Sequence, residues 1–275
     1  MTQEENRPSI QITLHPDGVA APSQTAAAVC REVVDFYLDA VGKADLTPRP
    51  PAPEDAFFRF NVQGPNLSEA QRRALYENWI LAKAFQDLMR GVRASLEEAF
   101  LFVELLAVGQ MKATSNSTVD DVIAPFRNDA AKRNFPPLLA HVNSKLEKSL
   151  EFVDAYQSMQ DARNCLEHRA GIVGKKDASE DGVMRLRFPR VKMFLVRDGE
   201  EIELQRGTAV EAGTEIFMRL DLRVREFKVG EPLTIVAADF DEIAFACYYF
   251  GNQLARRLPK GAATDPRPDL FPRAG

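Results

Sequence analysis

The chain has 275 residues, 45% of them apolar, with 35 Lys and Arg against 40 Asp and Glu, a net charge of −5 and a pI near 5.4. That is enough apolar material for one large domain or two small ones, and the acidic balance excludes a broad surface for non-specific DNA binding while leaving room for a local basic patch. Three scattered cysteines, Cys30, Cys165 and Cys247, with no CxxC or Cys/His cluster, speak for a reducing compartment and against structural zinc.

The first ten residues, MTQEENRPSI, are polar and acidic, unlike a secretory signal. No apolar run approaches the roughly 20 residues a membrane span needs, and Ala99–Val108 is broken by Glu104. The expectation is a soluble cytoplasmic protein with no membrane contact. Ser9–Leu14 alternates like a short strand, and Pro16-Asp17-Gly18 reads as a turn. Ser23 is a candidate cap for a helix through VCREVVDFYLDAV, with Val29, Val33, Phe36, Tyr37 and Val41 on one stripe. Residues 45–55 form a Pro-rich connector, and FFRFNV fits either a short strand or an aromatic plug.

Asn66 or Ser68 opens the longest helical pattern, which contains no proline and runs to about Lys112. Leu75, Trp79, Phe85, Leu88, Met89, Val92, Leu96, Phe100 and Val103 recur in it at three- and four-residue steps, and Gly91 marks a kink or a close helix contact. A shorter helix is expected over 118–132, interrupted or kinked at Pro125. Pro136-Pro137 fits the first turn of another, PPLLAHVNSKLEKSLEFV, which leads into a helix ending near Arg169. Beyond Gly174 the period drops to two, and a small antiparallel β meander is expected over 183–235, with a hairpin turn at Arg197–Glu200. Asp239 is the expected cap of a last helix, and residues 259–275 read as a disordered tail. There is no internal repeat.

The chemistry concentrates in QDARNCLEHRAGIVG, residues 160–174, at the end of a helical run. Asn164 and His168 are four apart and share a helix face, as do Arg163 and Glu167, the latter in the unfavourable Arg-before-Glu order. Arg163 and His168 are five apart, so about 140° separates them around the axis. A long Arg side chain bending round, or a second copy of the helix, would be needed to aim both at one ligand. Arg169 in the last turn and Gly171 as the residue after the C-cap suit helix termination. The helix dipole there favours the protonated imidazole of His168. The other two histidines, His15 and His141, read as surface or packing residues.

Arg163-Asn164-x-x-x-His168, followed by Arg169-Ala170-Gly171-Ile172-Val173, resembles the signature of the HEPN superfamily (higher eukaryotes and prokaryotes nucleotide-binding). GVRASLEEAF in the long helix, the NFPPLL helix start and a β insertion before a final helix are similar too, so that the resemblance spans most of residues 66–258. It implies a mainly α (α+β) fold, a HEPN-like helical bundle with the small β meander, preceded by an N-terminal extension over residues 1–65. It also implies a homodimer in which two motif segments face each other, and a metal-independent endoribonuclease with Arg163 and His168 catalytic and Asn164 supporting. A toxin or defence role, an RNA substrate and an antitoxin protein as a partner go with that, and no cofactor or metal is expected. RNA cleavage without metal uses the 2′-hydroxyl as nucleophile, a histidine to move protons and an arginine to neutralise phosphoryl charge.

Two other readings fit the same residues. One is a catalytically silent module that docks RNA, a nucleotide or a protein through the same groove. The other is a scaffold in which His168 caps the helix and Arg163 pairs with Glu167 across a dimer. Arg169, Arg185 and Arg187 are candidate RNA contacts, with Arg219, Arg223 and Arg225 on alternating strand faces. Against a basic RNA surface stands a solvated face whose charge is balanced by Glu201, Glu203, Glu215 and Asp221.

Overall fold

The structure, a computed structural model, describes residues 12–47, 67–108, 118–204 and 207–260. Residues 9–11 of the expected first strand, the Pro-rich connector beyond Thr47, the FFRFNV stretch and the tail from 261 lie outside them. Among the described residues, helices α1 (Pro16–Lys43), α2 (Glu69–Val108), α3 (Val119–Lys132), α4 (Phe135–Lys145) and α5 (Val153–His168) precede strands β1 (Val183–Arg197), β2 (Glu200–Glu203) and β3 (Phe217–Lys228), and α6 (Ala237–Arg257) closes the order. This is a mainly helical α+β chain with a small three-stranded antiparallel sheet, the expected class. The described residues fall into two compact units: 12–22, 93–108, 118–151 and 250–260 in the first, 23–47, 67–92, 152–204 and 207–249 in the second.

In the first unit Leu96, Phe100, Leu138, Leu139, Val142, Phe250 and Leu254 are buried. Ile12 and Leu14 form no strand; they pack against Leu101, Leu105 and Ile123. The expected turn at Pro16-Asp17-Gly18 instead starts α1, because proline is suited to a first helical turn and Asp17 complements the dipole there. Ser23 is consequently inside the helix and buried rather than capping it. Thr118 caps α3 with a reciprocal box to Asp121, and the helix runs on through Pro125. Arg93 caps the other end of α3, donating to the carbonyls of Ala130 at 2.9 Å and Arg133 at 2.8 Å.

The expected helix from Pro136 to Val153 breaks after Lys145. Distant groups hold residues 146–151 out of the helix: Glu147 N–H donates to Arg257 O at 2.8 Å, Glu151 N–H to Gln253 Oε1 at 2.8 Å and Leu150 N–H to Asn143 Oδ1 at 2.7 Å. With its backbone satisfied in this way the segment gains nothing by staying helical.

In the second unit Ser68 and Gln71 make the capping box that starts α2, and the helix runs unbroken through Gly91. Phe85, Leu88, Met89 and Val92 are buried as the periodicity required, but Leu75 and Trp79 are about half exposed. On α1 the buried stripe is Ala27, Cys30, Val34 and Val41, and of the expected stripe Val29, Val33 and Phe36 face solvent while Val41 is buried.

Asp198 and Gly199, both at positive φ, make the two-residue hairpin between β1 and β2. The sheet order is β2-β1-β3, so β1 is central and β3 returns to its far edge. β2 covers only residues 194–197 of β1. Further back along that edge Ser158 of α5 accepts from Arg187 N–H at 2.9 Å and donates to Arg187 O at 3.1 Å, which closes an otherwise open strand. Asp239 lies inside the first turn of α6, buried, instead of capping it. Its carboxylate is claimed by Arg225, at 2.7 Å through both nitrogens.

Candidate functional site

α5 is built by a stripe at helical spacing, Ala155, Tyr156, Met159, Ala162 and Cys165, all buried. The Tyr156 hydroxyl donates to Ala246 O at 3.2 Å and fixes the rotation of the helix. That rotation turns Gln160, Asn164, Glu167 and His168 away from the core and leaves Arg163 at its border. The helix ends by doubling its last bonds: Arg169 N–H and Gly171 N–H both reach Cys165 O at 3.1 Å. Ala170 and Gly171 take positive φ, so the left-handed turn begins one residue earlier than Gly171 alone would place it. A Cβ on Gly171 would stand 3.2 Å from Leu166 Cδ2. The chain then forms a bridge from Ile172 to Pro232, with Val173 N–H to Glu231 O at 3.0 Å and Leu233 N–H to Gly171 O at 2.7 Å.

The motif residues meet at a carboxylate. Arg163 Nη1 pairs with Glu167 Oε2, and His168 Nε2 stands 3.7 Å from that same oxygen. Arg163 Nη1 also donates to Asn164 Oδ1 at 3.3 Å, and Gln160 Nε2 donates to it at 3.0 Å. Asn164 therefore braces Arg163, not His168. The His168 side chain is 63% exposed while that of Arg163 is 23% exposed, so one functional group is open to a ligand and the other is held from behind.

Arg169 is held by Asp177 through two nitrogens, Nε at 2.7 Å, and Asp177, almost wholly buried, also accepts from Gly174 N–H at 2.8 Å. This pair ties the segment after the motif to the helix end. Arg185 pairs with Asp181 and with Glu226 at 3.0 Å. Arg187 carries no acidic partner among the described residues. Four other strand arginines are balanced: Arg190 with Glu203 and Asp221, Arg223 with Glu242, Arg225 with Asp239, Arg219 with Glu201. Cys165, beneath the motif, is buried, and burial pushes its thiol up, with Asp177 adding to the effect.

Sequence reasoning saw Glu167 as a poor helical pair or as a partner of Arg163 across a dimer, and missed Gln160 and Asp177 as partners of the motif. Gln160 was within reach of it, being four residues before Asn164. It also missed the partner of His141, whose Nε2 lies 2.6 Å from Glu104 Oε1 beside the Phe100 ring. Nothing local signals a contact across 37 residues. Among the described residues no group of three or more His, Cys, Asp or Glu is placed to hold a metal ion, and no helix is long and apolar enough to cross a membrane. No family model matches the chain, and neither the curated proteins nor the solved structures contain a match.

Proposed function

We propose that the chain is a metal-independent endoribonuclease of the HEPN type, with Arg163 and His168 acting on the phosphodiester and Asn164 bracing Arg163. The observation that carries the reading is the convergence of Arg163 and His168 on one oxygen of Glu167. An anionic oxygen with free lone pairs is what a phosphate also offers, and an arginine fork binds either. A phosphate entering here would meet a guanidinium on one side and an exposed imidazole on the other.

The reaction follows from those groups. His168 takes the proton of the 2′-hydroxyl, whose oxygen attacks the adjacent phosphorus; the bond from phosphorus to the 5′-oxygen breaks and a 2′,3′-cyclic phosphate forms. The departing 5′-oxygen takes a proton from an imidazolium, which a second copy of the motif, facing the first in a homodimer, would supply. Arg163 offsets the charge that grows on the non-bridging oxygens. Unchecked cleavage of RNA in the cytoplasm is destructive, so a toxin or defence role restrained by an antitoxin protein belongs to the proposal.

A second reading is favoured by the occupancy of Arg163, whose guanidinium already serves Glu167 and Asn164. On that reading the motif is a silent module that docks RNA, a nucleotide or a protein. RNA oligomers carrying single 2′-deoxy substitutions separate the two. The nuclease loses cutting only at the substituted position, whereas a docking module binds both oligomers alike and cuts neither.

A further inference from the structure

The sheet carries apolar side chains on both faces: the inward one buries Met184, Leu186, Phe188, Phe194 and Phe227, and the other leaves a run of them in solvent. The register places Val191 opposite Leu220, Met193 opposite Met218, Pro189 opposite Leu222, Arg187 opposite Val224 and Leu195 opposite Ile202. Cross-strand partners share a face, so these form one surface, of which Pro189 and Leu195 are themselves buried. Along it Val191, Met193, Ile202, Met218, Leu220, Leu222 and Val224 are exposed, from 37% at Leu220 to 69% at Met218. The other face sets Arg190, Lys192, Arg223 and Arg225 beside those buried apolar side chains, with Arg190 and Asp239 nearly buried in their ion pairs. An antiparallel sheet with one wet face normally shows water its polar side. Here the wet face is apolar over its middle as well.

We infer that this apolar face is a self-association surface, on which a second copy of the chain packs its own sheet face to face about a two-fold axis. Three features favour a second copy as the occupant. The centre of the face carries no charge for a complementary partner to read. Its rows on β1 and β3 run antiparallel in register, so that a copy turned through half a revolution offers the same pattern and an isologous contact closes. The seven side chains expose on the order of 500 Å², at the upper end of what monomers leave uncovered. Two such faces together remove about 1,000 Å² from water, the level at which an interface becomes specific. Sheets stacked in this way lie about 10 Å apart, a spacing that Leu, Ile, Val and Met fill, and methionine adapts to an imperfect fit.

The surface is separate from the motif on α5, and the inference does not rest on the nuclease reading. Its test is the mass in solution, by sedimentation velocity, of the wild type, Met218→Arg/Leu220→Arg and the milder Met218→Thr/Leu220→Thr, whose threonines keep β-propensity if the arginines prevent folding. The expected result is the loss of one association step: dimer to monomer, or, where α5 supplies a dimer of its own, a larger assembly reduced to that dimer. The threonine pair should weaken the step at least tenfold with an unchanged circular dichroism spectrum. A monomeric wild type, or a mass that both variants leave unchanged, overturns the inference. A dimer broken only by substitutions on α5 overturns it too, while leaving the proposed function standing.

Discussion

Arg163 and His168 share one carboxylate neighbour: Glu167 Oε2 forms an ion pair with Arg163 Nη1 and lies 3.7 Å from His168 Nε2. The helical turn separates the two side chains by about 140°, and Glu167, one turn after the first and adjacent to the second, lies between them. The carboxylate therefore competes with any phosphate for the same donors.

Glu167→Gln should raise RNA affinity by a few-fold and leave cleavage intact, because it removes a competing charge from Arg163 without changing the shape of the site. The exposed pair it breaks is worth only about 0.3–0.5 kcal/mol, so stability should hardly move. Titration of labelled RNA against both proteins checks this. Loss of cutting equal to that in His168→Ala would instead make Glu167 a participant in proton transfer.

Arg169→Ala should unfold the end of the motif, not merely weaken RNA binding. Removing the guanidinium leaves the buried Asp177 carboxyl with the Gly174 N–H and the Cys165 thiol alone, at a cost of about 3 kcal/mol. Urea unfolding of the variant should show a midpoint well below that of the wild type. An unchanged midpoint with weaker RNA binding would return Arg169 to the RNA-contacting role expected from the sequence.

How far the sequence could be read differs from element to element. The ends of α2 and α3 carry local signals, Ser68 with Gln71 and Thr118 with Asp121, and both were legible. The break after Lys145 was not, since Arg257 and Gln253, more than 100 residues on, impose it. The same limit applies at the candidate site. Arg163, Asn164 and His168 are close in sequence and could be singled out together, whereas the Arg169–Asp177 bond depends on how the chain turns after Gly171. On the sheet, alternation revealed two faces but not which of them faces inward. Asp239 and Glu242, which draw the arginines in, belong to the following helix.

Arg190→Ala should be among the most damaging single changes outside the core. The guanidinium is 8% exposed and serves Glu203, Asp221 at 3.2 Å and Glu242 at 3.7 Å, and its removal leaves three carboxylates crowded together. A loss of about 3–5 kcal/mol is expected. Replacement with Met should recover none of it, because Glu203 and Asp221 still lack the guanidinium and only Glu242 keeps its bond to Arg223, while Arg190→Ala combined with Glu203→Gln should recover part. Thermal melts of the single and double variants measure the difference.

Acid should loosen the sheet. The hydrogen bond from Arg190 holds the Glu203 carboxyl below its ordinary value, and those from Arg219 and Lys192 do the same for Glu201. A carboxyl depressed in the folded state binds its proton more readily once unfolded. The stability it contributes is therefore complete above the unfolded value, about 4.3 for glutamate, and is lost as pH falls through the lower folded value. Melting temperature should be flat from pH 7 to 5 and drop below pH 4, by less in Glu203→Gln than in the wild type. An equal drop in both would place the acid-sensitive groups elsewhere.

The most direct measurement is cleavage of bulk RNA in EDTA by the wild type and by His168→Ala, with the folding and mass of both verified. Cutting by the wild type, ending in 2′,3′-cyclic phosphates and falling by about 100-fold or more in the variant, is the expected result for a histidine that moves the proton. Equal cutting by both proteins, or none by a folded wild type, would contradict a ribonuclease built on Arg163 and His168.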